Sequence, residues 1–283
     1  MMQYLVLYVL AMLTFHQILR YAQRSGIGVM AVSAVNYVVA AVLSLIILAA
    51  VAAVVTVSRP WTAAGLGTIT GILYFVNLLV ILAAYRLVGV GISIAFVALG
   101  VTVPVLVSWW LWDEPMTLVR WAAVALLPVA AFLMRPPGGH TRHMNLANDL
   151  ILAAAVLVPG AVGCLHKAVN VYAVGAGNRH AYQAALFSAA AVCSVAYVLR
   201  HRLSCARRTV RLGSVLGTAN VAATLFVLLS LSVMRAVVFY PVGASLVIGS
   251  SVVVSWLLWG ERVTIRQAVG LCVSVCIVVL GRL

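Results

Sequence analysis

Asn36, Tyr74, Asn77, Gln183, Asn220 and Thr224 carry amide, phenol and hydroxyl groups inside stretches of sequence that are otherwise apolar. In hydrocarbon such groups are costly unless they find a partner or face a wet cavity, so they mark either a solute path or interhelical hydrogen bonds. Amides and hydroxyls both donate and accept, which suits reversible holding of a small polar solute. Bond-breaking chemistry would need more, and the chain contains neither H-E-x-x-H nor a G-x-x-x-x-G-K-[ST] loop. Its acidic residues, Asp113, Glu114, Asp149 and Glu261, all fall outside mid-span positions. An enzyme is not expected, and no metal or cofactor site is expected either. The cysteines, Cys164, Cys193, Cys205, Cys272 and Cys276, show no C-x-x-C spacing and read as small core-filling residues. If protons are involved, His16, His166 and His180 titrate nearest the physiological range, although a headgroup-level surface position is expected for each.

The elements that must position these groups come in two copies. Ser108 to Thr117 reads S-W-W-L-W-D-E-P-M-T and Ser255 to Thr264 reads S-W-L-L-W-G-E-R-V-T, so Ser, Trp, Leu, Trp, Glu and Thr recur at one spacing. The offset, 261 − 114 = 147, carries Met1–Pro136 onto Asn148–Leu283 without a gap. It also pairs Asn36 with Gln183, Asn77 with Thr224, Arg20 with Lys167 and Gln23 with Asn170. Both readings stay open for these polar positions: the lining of a cavity, or hydrogen bonds that hold helices together.

Composition fixes the medium. With 65% hydrophobic and 8% charged residues and a mean hydropathy of +1.18, the chain lies outside soluble usage, where about a quarter of residues are charged. Apolar runs long enough for a span of about 20 helical residues predict ten transmembrane helices. They are expected near 1–19, 29–57, 62–85, 88–112, 117–134, 149–167, 179–199, 212–234, 237–259 and from 264 onward. The fold class is therefore an all-α polytopic membrane protein, with residues 1–136 as one five-helix repeat, 137–147 as a Pro/Gly/polar linker and 148–283 as the second repeat. Gly67 and Gly71 are expected to let helix backbones approach. Pro104 and Pro241, near Gly100 and Gly243, are expected to bend helices four and nine, exposing backbone carbonyls or serving as fixed packing kinks. Arg120 is expected to reach water. Thr264 and Gln267 form a T-x-x-Q capping box.

An odd number of crossings per copy sends the second copy into the membrane from the opposite side, so the repeats are inverted, an arrangement used for alternating access. At the repeated corners Trp109, Trp112, Trp256 and Trp259 read as interface anchors, and Glu114 and Glu261 as carboxylates favouring the start of the helix that follows. The net charge of +14 resides in arginines between apolar runs, whose expected partners are anionic lipid headgroups and not nucleic acid. Twelve arginines follow odd-numbered helices and six basic residues lie on the other side, which by the positive-inside rule puts both termini outside the cytoplasm.

Ten helices in two copies, each with a W-x-L-W-x-E-x-x-T corner, resemble the drug/metabolite transporter superfamily, in particular its EamA-like branch. Trp256, Gly260, Glu261, Gln267 and Gly270 match that family's corner, whereas Asp113, Arg120 and Ala123 depart from it in the first copy. The resemblance implies both termini in the cytoplasm, against the charge count. It further implies a secondary transporter in the plasma (cell inner) membrane. With no carboxylate in mid-span to balance a permanent cation, the expected cargo is a small neutral or zwitterionic metabolite, amino-acid-like or drug-like, moved outward. The alternative expectation is a flippase for a lipid-linked intermediate.

Overall fold

Long apolar stretches broken by glycine, proline and arginine give helices joined by short turns, with no strand among the described residues, which in the computed structural model are 2–134, 146–260 and 264–280. The helices are α1 (Met2–Arg24), α2 (Val29–Ala52), α3 (Pro60–Leu99), α4 (Thr102–Leu111), α5 (Leu118–Met134), α6 (Leu146–Tyr172), α7 (Ala176–Arg200), α8 (Arg207–Val233), α9 (Ala236–Trp259) and α10 (Ile265–Leu280). Seven of them are long and apolar enough to cross a membrane, while 102–111, 118–133 and 265–280 are shorter apolar helices. Large apolar side chains stand exposed along the spans, among them Leu10, Ile46, Leu157, Val192 and Leu257, as suits helices whose outer faces meet lipid.

Helix ends follow local chemistry. α1 stops where Gly26 takes φ 66, and Ile27 N–H returns to the Ala22 carbonyl at 3.0 Å. Ile27 then packs beside Ala22, the apolar contact that accompanies such a left-handed stop. The expected capping box is formed: Thr264 N–H donates to Gln267 Oε1 at 3.0 Å, and Gln267 N–H donates to Thr264 Oγ1 at 3.3 Å.

The third and fourth helices differ from the expected boundaries. No break occurs at Arg86; α3 runs through it to Leu99, about 60 Å of helix at 1.5 Å per residue. The arginine is exposed, and a charge constrains a side chain without constraining its backbone. The interruption falls at Gly100–Val101 instead. Pro104 cannot donate to the Gly100 carbonyl four residues back, and Val103 N–H takes that carbonyl at 3.2 Å in a tighter turn. Pro104 therefore sits in the first turn of a short helix and does not bend a long one. Pro241 lies within α9, which continues through it.

The chain divides into two compact units. Unit 1 holds residues Met1–Phe75 and Leu165–Val233, and unit 2 holds Val76–Cys164 and Met234–Leu283. Each unit draws on both halves of the sequence, and α3 and α6 each contribute residues to both. The expected linker at 137–147 lies outside the described residues, apart from Leu146 and Ala147, which open α6.

In unit 1, small residues set the packing. A Cβ on Gly67 would run into the Tyr182 carbonyl and Ala185, and one on Gly71 into the Leu186 carbonyl and Ala189, so α3 lies with its backbone against α7. Likewise a Cβ on Gly213 would meet Val35, and one on Gly217 would meet the Asn36 carbonyl and Val39, which sets α8 against α2. Tyr182 and Leu186 are the 147-offset counterparts of Val35 and Val39. The same close crossing is thus built twice, each time between a second helix of one copy and a third helix of the other. In unit 2, α5 packs on α10 around Ala123, Leu127, Ala130 and Ile277, while Val105, Val124 and Val237 form a second apolar cluster.

Candidate functional site

Tyr74, on the last turn that α3 gives to unit 1, is the centre of the polar interior there. Its hydroxyl lies 3.4 Å from His166 Nε2 on α6 and 3.5 Å from Thr224 Oγ1 on α8. Its ring meets those of Tyr37, His166 and Phe187 at centroid distances of 6.0 to 6.4 Å, and His166 meets Tyr182 at 5.9 Å. Oxygen-donated hydrogen bonds are strongest near 2.7 Å, so the contacts of the Tyr74 hydroxyl are long ones. The group retains capacity to bond elsewhere.

Around it stand bonds of ordinary length. Tyr182 Oη donates to Thr70 Oγ1 at 2.9 Å, Gln183 Nε2 donates to the Val221 carbonyl at 2.8 Å, and Asn220 Nδ2 donates to Asn36 Oδ1 at 3.2 Å. The offset of 147 relates two of the bonds around Tyr74. Val221 is the offset counterpart of Tyr74, and the Tyr74 carbonyl accepts from Tyr37 Oη at 3.4 Å. In each copy, then, a side chain of the second helix bonds the same carbonyl of the third.

Of the six residues singled out above, Asn36, Tyr74, Gln183, Asn220 and Thr224 come together in unit 1 as members or neighbours of this network. Asn77 belongs to unit 2, where its Oδ1 is buried without a hydrogen-bond partner among the described residues. His166 is the residue whose position sequence reading missed. Expected at a surface, it is 5% exposed and touches both Tyr74 and Tyr182. Gly163, His166 and Asn170 fall on one helical face at i, i+3 and i+7, and that spacing was the available signal.

The corners behave differently from one another. Glu114 is buried, and its Oε2 accepts from the Val237 N–H in the first turn of α9 at 3.0 Å. It was expected to serve the helix following it in sequence; the carboxylate bonds the start of α9, whose first-turn N–H groups have no partner within the helix and attract an anion equally well. Arg120, half-buried, donates to the Pro115 carbonyl at 2.8 Å, bracing the same corner. Trp109 and Trp256 are exposed, and Trp109 stacks edge-on against Trp121 at 5.4 Å. Trp112 is half-buried. The Trp259 side chain and all of Glu261 lie outside the described residues. Within unit 2, Gly100, Gly160 and Gly163 bring the 100–104 break against α6, with Pro104 about 3 Å from where a Gly163 Cβ would stand. Tyr240 Oη donates to the Gly163 carbonyl at 2.6 Å.

Among the described residues, no group of three or more His, Cys, Asp or Glu side chains is arranged to hold a metal ion. Chemically, the unit 1 interior offers neutral donors and acceptors bordered by aromatic rings, with no carboxylate anywhere in that unit.

No family model and no curated protein matches the sequence. Solved structures do match, one of them described only as "Crystal structure of protein": it is similar over 98% of this chain and 94% of its own, with a TM-score of 0.79 at 12% identity. At that identity the likeness shows a shared fold and nothing further.

Proposed function

We propose that this chain is a ten-span secondary transporter of the drug/metabolite transporter superfamily, EamA-like, in the plasma membrane. In this reading it exports a small neutral or zwitterionic metabolite by alternating access of two inverted repeats. The observation that carries the reading is the twice-built crossing in unit 1, where α8 lies on α2 through Gly213 and Gly217 and α3 lies on α7 through Gly67 and Gly71, each pair meeting offset-related residues of the second helix, Val35 and Val39 in one copy and Tyr182 and Leu186 in the other. Two equivalent crossings around one neutral polar interior supply what exchange between two conformations requires, namely the same contacts available in either copy. The solute class follows from the same interior: amides, hydroxyls, an imidazole and aromatic rings, with no fixed negative charge.

The test is counterflow of radiolabelled neutral amino acids into proteoliposomes carrying the full chain. Tyr74→Phe and Thr224→Val are expected to lower flux tenfold or more while thermal stability changes little, because bonds of 3.4 to 3.5 Å hold the fold only weakly. Asn77→Leu is expected to do the same. Wild-type flux in all three variants would assign these side chains to helix packing alone. Movement of a lipid-linked intermediate with no solute flux would replace this reading with the flippase.

A further inference from the structure

All four acidic residues of the chain fall in unit 2, so unit 1 carries ten of the eighteen basic residues and no compensating carboxylate. Most of that charge gathers at one end. Arg24 closes α1, Arg200 closes α7, Arg202 lies in the turn that follows, and Arg207, Arg208 and Arg211 open α8; all six are exposed. The three helix ends are held side by side. Arg208 donates to Tyr21 Oη at 2.6 Å and to Ser25 Oγ at 3.3 Å, its guanidinium 5.4 Å from the centre of the Tyr21 ring. A tight turn through Arg202, with Leu203 N–H returned to the Val198 carbonyl at 3.0 Å, joins α7 to α8.

Such an arrangement is self-repelling. Cations at the start of α8 oppose its dipole, and no acidic residue occupies that first turn. The other end of α2 is built differently. There Arg59 donates to the Tyr172 carbonyl at 2.9 Å, and the buried Asn178 ties Ser58 and the Arg59 N–H across to α7. That end is closed by internal hydrogen bonds, whereas at the arginine-rich end Arg208 bonds the neutral hydroxyls of Tyr21 and Ser25 and positive charge is in excess. Directly along the spans from the arginines stand exposed apolar side chains: Leu199 is 71% exposed and Val215 54%, with Leu203 and Val210 also open.

We infer that this end of unit 1 is a docking surface for an anionic phospholipid, its phosphodiester headgroup among Arg24, Arg202, Arg207, Arg208 and Arg211 and its acyl chains along the exposed faces of α7 and α8. Cationic fork donors beside an apolar wall fit a lipid, and the wall would be idle with a free anion. The surface lies on the leaflet that carries the negative lipid, and occupancy relieves the repulsion at the start of α8. This inference does not depend on the transport reading.

The full chain, purified in a neutral detergent, is heated with increasing short-chain phosphatidylglycerol, with short-chain phosphatidylcholine, or with inorganic phosphate. Phosphatidylglycerol alone is expected to raise the unfolding midpoint, since a ligand that binds the folded state stabilises it. In the triple variant Arg207→Ala/Arg208→Ala/Arg211→Ala that rise is expected to disappear, with each single change weakening apparent lipid affinity about fivefold. With phosphatidylcholine the double variant Arg207→Ala/Arg211→Ala, which spares the Arg208 bonds to Tyr21 and Ser25, is expected to be at least as stable as wild type, which a merely structural role for these two arginines would not allow. The corresponding Arg→Lys triple variant is expected to keep most of the lipid response, and it serves as the reading if the alanine variant does not fold. Arg86→Ala/Arg235→Ala, which removes two cations from unit 2, is expected to respond as wild type. An equal rise with phosphate, an undiminished rise in the alanine variant, or a loss as large in the unit 2 variant would each overturn the inference.

Discussion

Units 1 and 2 treat buried polar groups in contrasting ways. In unit 1 most of them meet: Tyr182 with Thr70, Gln183 with the Val221 carbonyl, Asn220 with Asn36, and Asn178 with Ser58. In unit 2 the buried oxygens of Asn77, Ser108, Ser245, Ser251 and Ser274 lack hydrogen-bond partners among the described residues, against Ser44 and Ser230 in unit 1. Backbone continuity differs as well: α2, α7 and α8 are uninterrupted, whereas the 99–104 stretch breaks, and Pro128, Pro159 and Pro241 lie within the helical residues of unit 2. Burial without a partner costs about 1–3 kcal/mol per group, so it is tolerated only where something else is gained or the cost is offset. The lesson is that unit 1 adds specific side-chain polar pairs to its glycine crossings, while unit 2, whose Gly100, Gly160 and Gly163 also allow close approach, leaves more buried hydroxyls unmatched and relies on apolar packing and on bonds to backbone groups such as that of Glu114 at the start of α9.

The sharpest break of that contrast is Gly71→Leu. Even a Cβ there would run into the Leu186 carbonyl and Ala189, so α3 must leave α7, and a loss of about 3 kcal/mol or more is expected in unfolding by denaturing detergent. Gly65→Leu, six residues earlier with nothing within 4 Å of its Cβ, should change stability by less than about 0.5 kcal/mol. Equal effects at the two positions would remove the glycine crossing as the basis of unit 1.

Glu114→Ala comes next. It leaves the buried Val237 N–H without its partner, and thermal unfolding should show a loss of about 1–3 kcal/mol, with Glu114→Gln losing less because an amide oxygen still accepts. An unchanged midpoint for Glu114→Ala would deny that this buried carboxylate bond holds unit 2. Gly26→Ala tests unit 1 at a smaller scale. The position has φ 66 and open space, so only backbone strain opposes a side chain, and a loss of about 1 kcal/mol is expected.

The smallest effect should have the opposite sign. Ser245→Ala and Ser274→Ala each remove a hydroxyl that has no partner among the described residues, and each is expected to be neutral or stabilising by up to about 1 kcal/mol. The same change at Thr70, whose hydroxyl accepts from Tyr182, should destabilise. If both classes behaved alike, the difference between the units would not be one of hydrogen bonding.

What the sequence disclosed was local or periodic. Gly67 and Gly71 announce a close crossing because a missing Cβ at i, i+4 has that one consequence on a helix, and Thr264 with Gln267 forms its box within a single turn. The offset of 147 pairs Asn36 with Gln183, and both are buried in unit 1, but their partners differ: the Asn220 amide for one and the Val221 carbonyl for the other. Glu114 could not be read in this way, because its partner Val237 lies 123 positions along the chain. The α3 boundary was misplaced because Arg86 resembles a surface charge between spans, while the backbone obeys Gly100 and Pro104. His166 escaped because the adjacent Lys167 suggests a membrane boundary, while the face it shares with Gly163 and Asn170 is a weaker signal.

Every step of the proposed mechanism assumes that the two sequence copies are oppositely oriented in the bilayer. The direct measurement places single cysteines at Thr117 and at its offset counterpart Thr264, in a full chain whose five native cysteines have been replaced, and labels oriented vesicles with a membrane-impermeant maleimide. Modification of the two positions from opposite sides is the predicted result. Modification of both from the same side would contradict the inverted arrangement and the transport reading built on it.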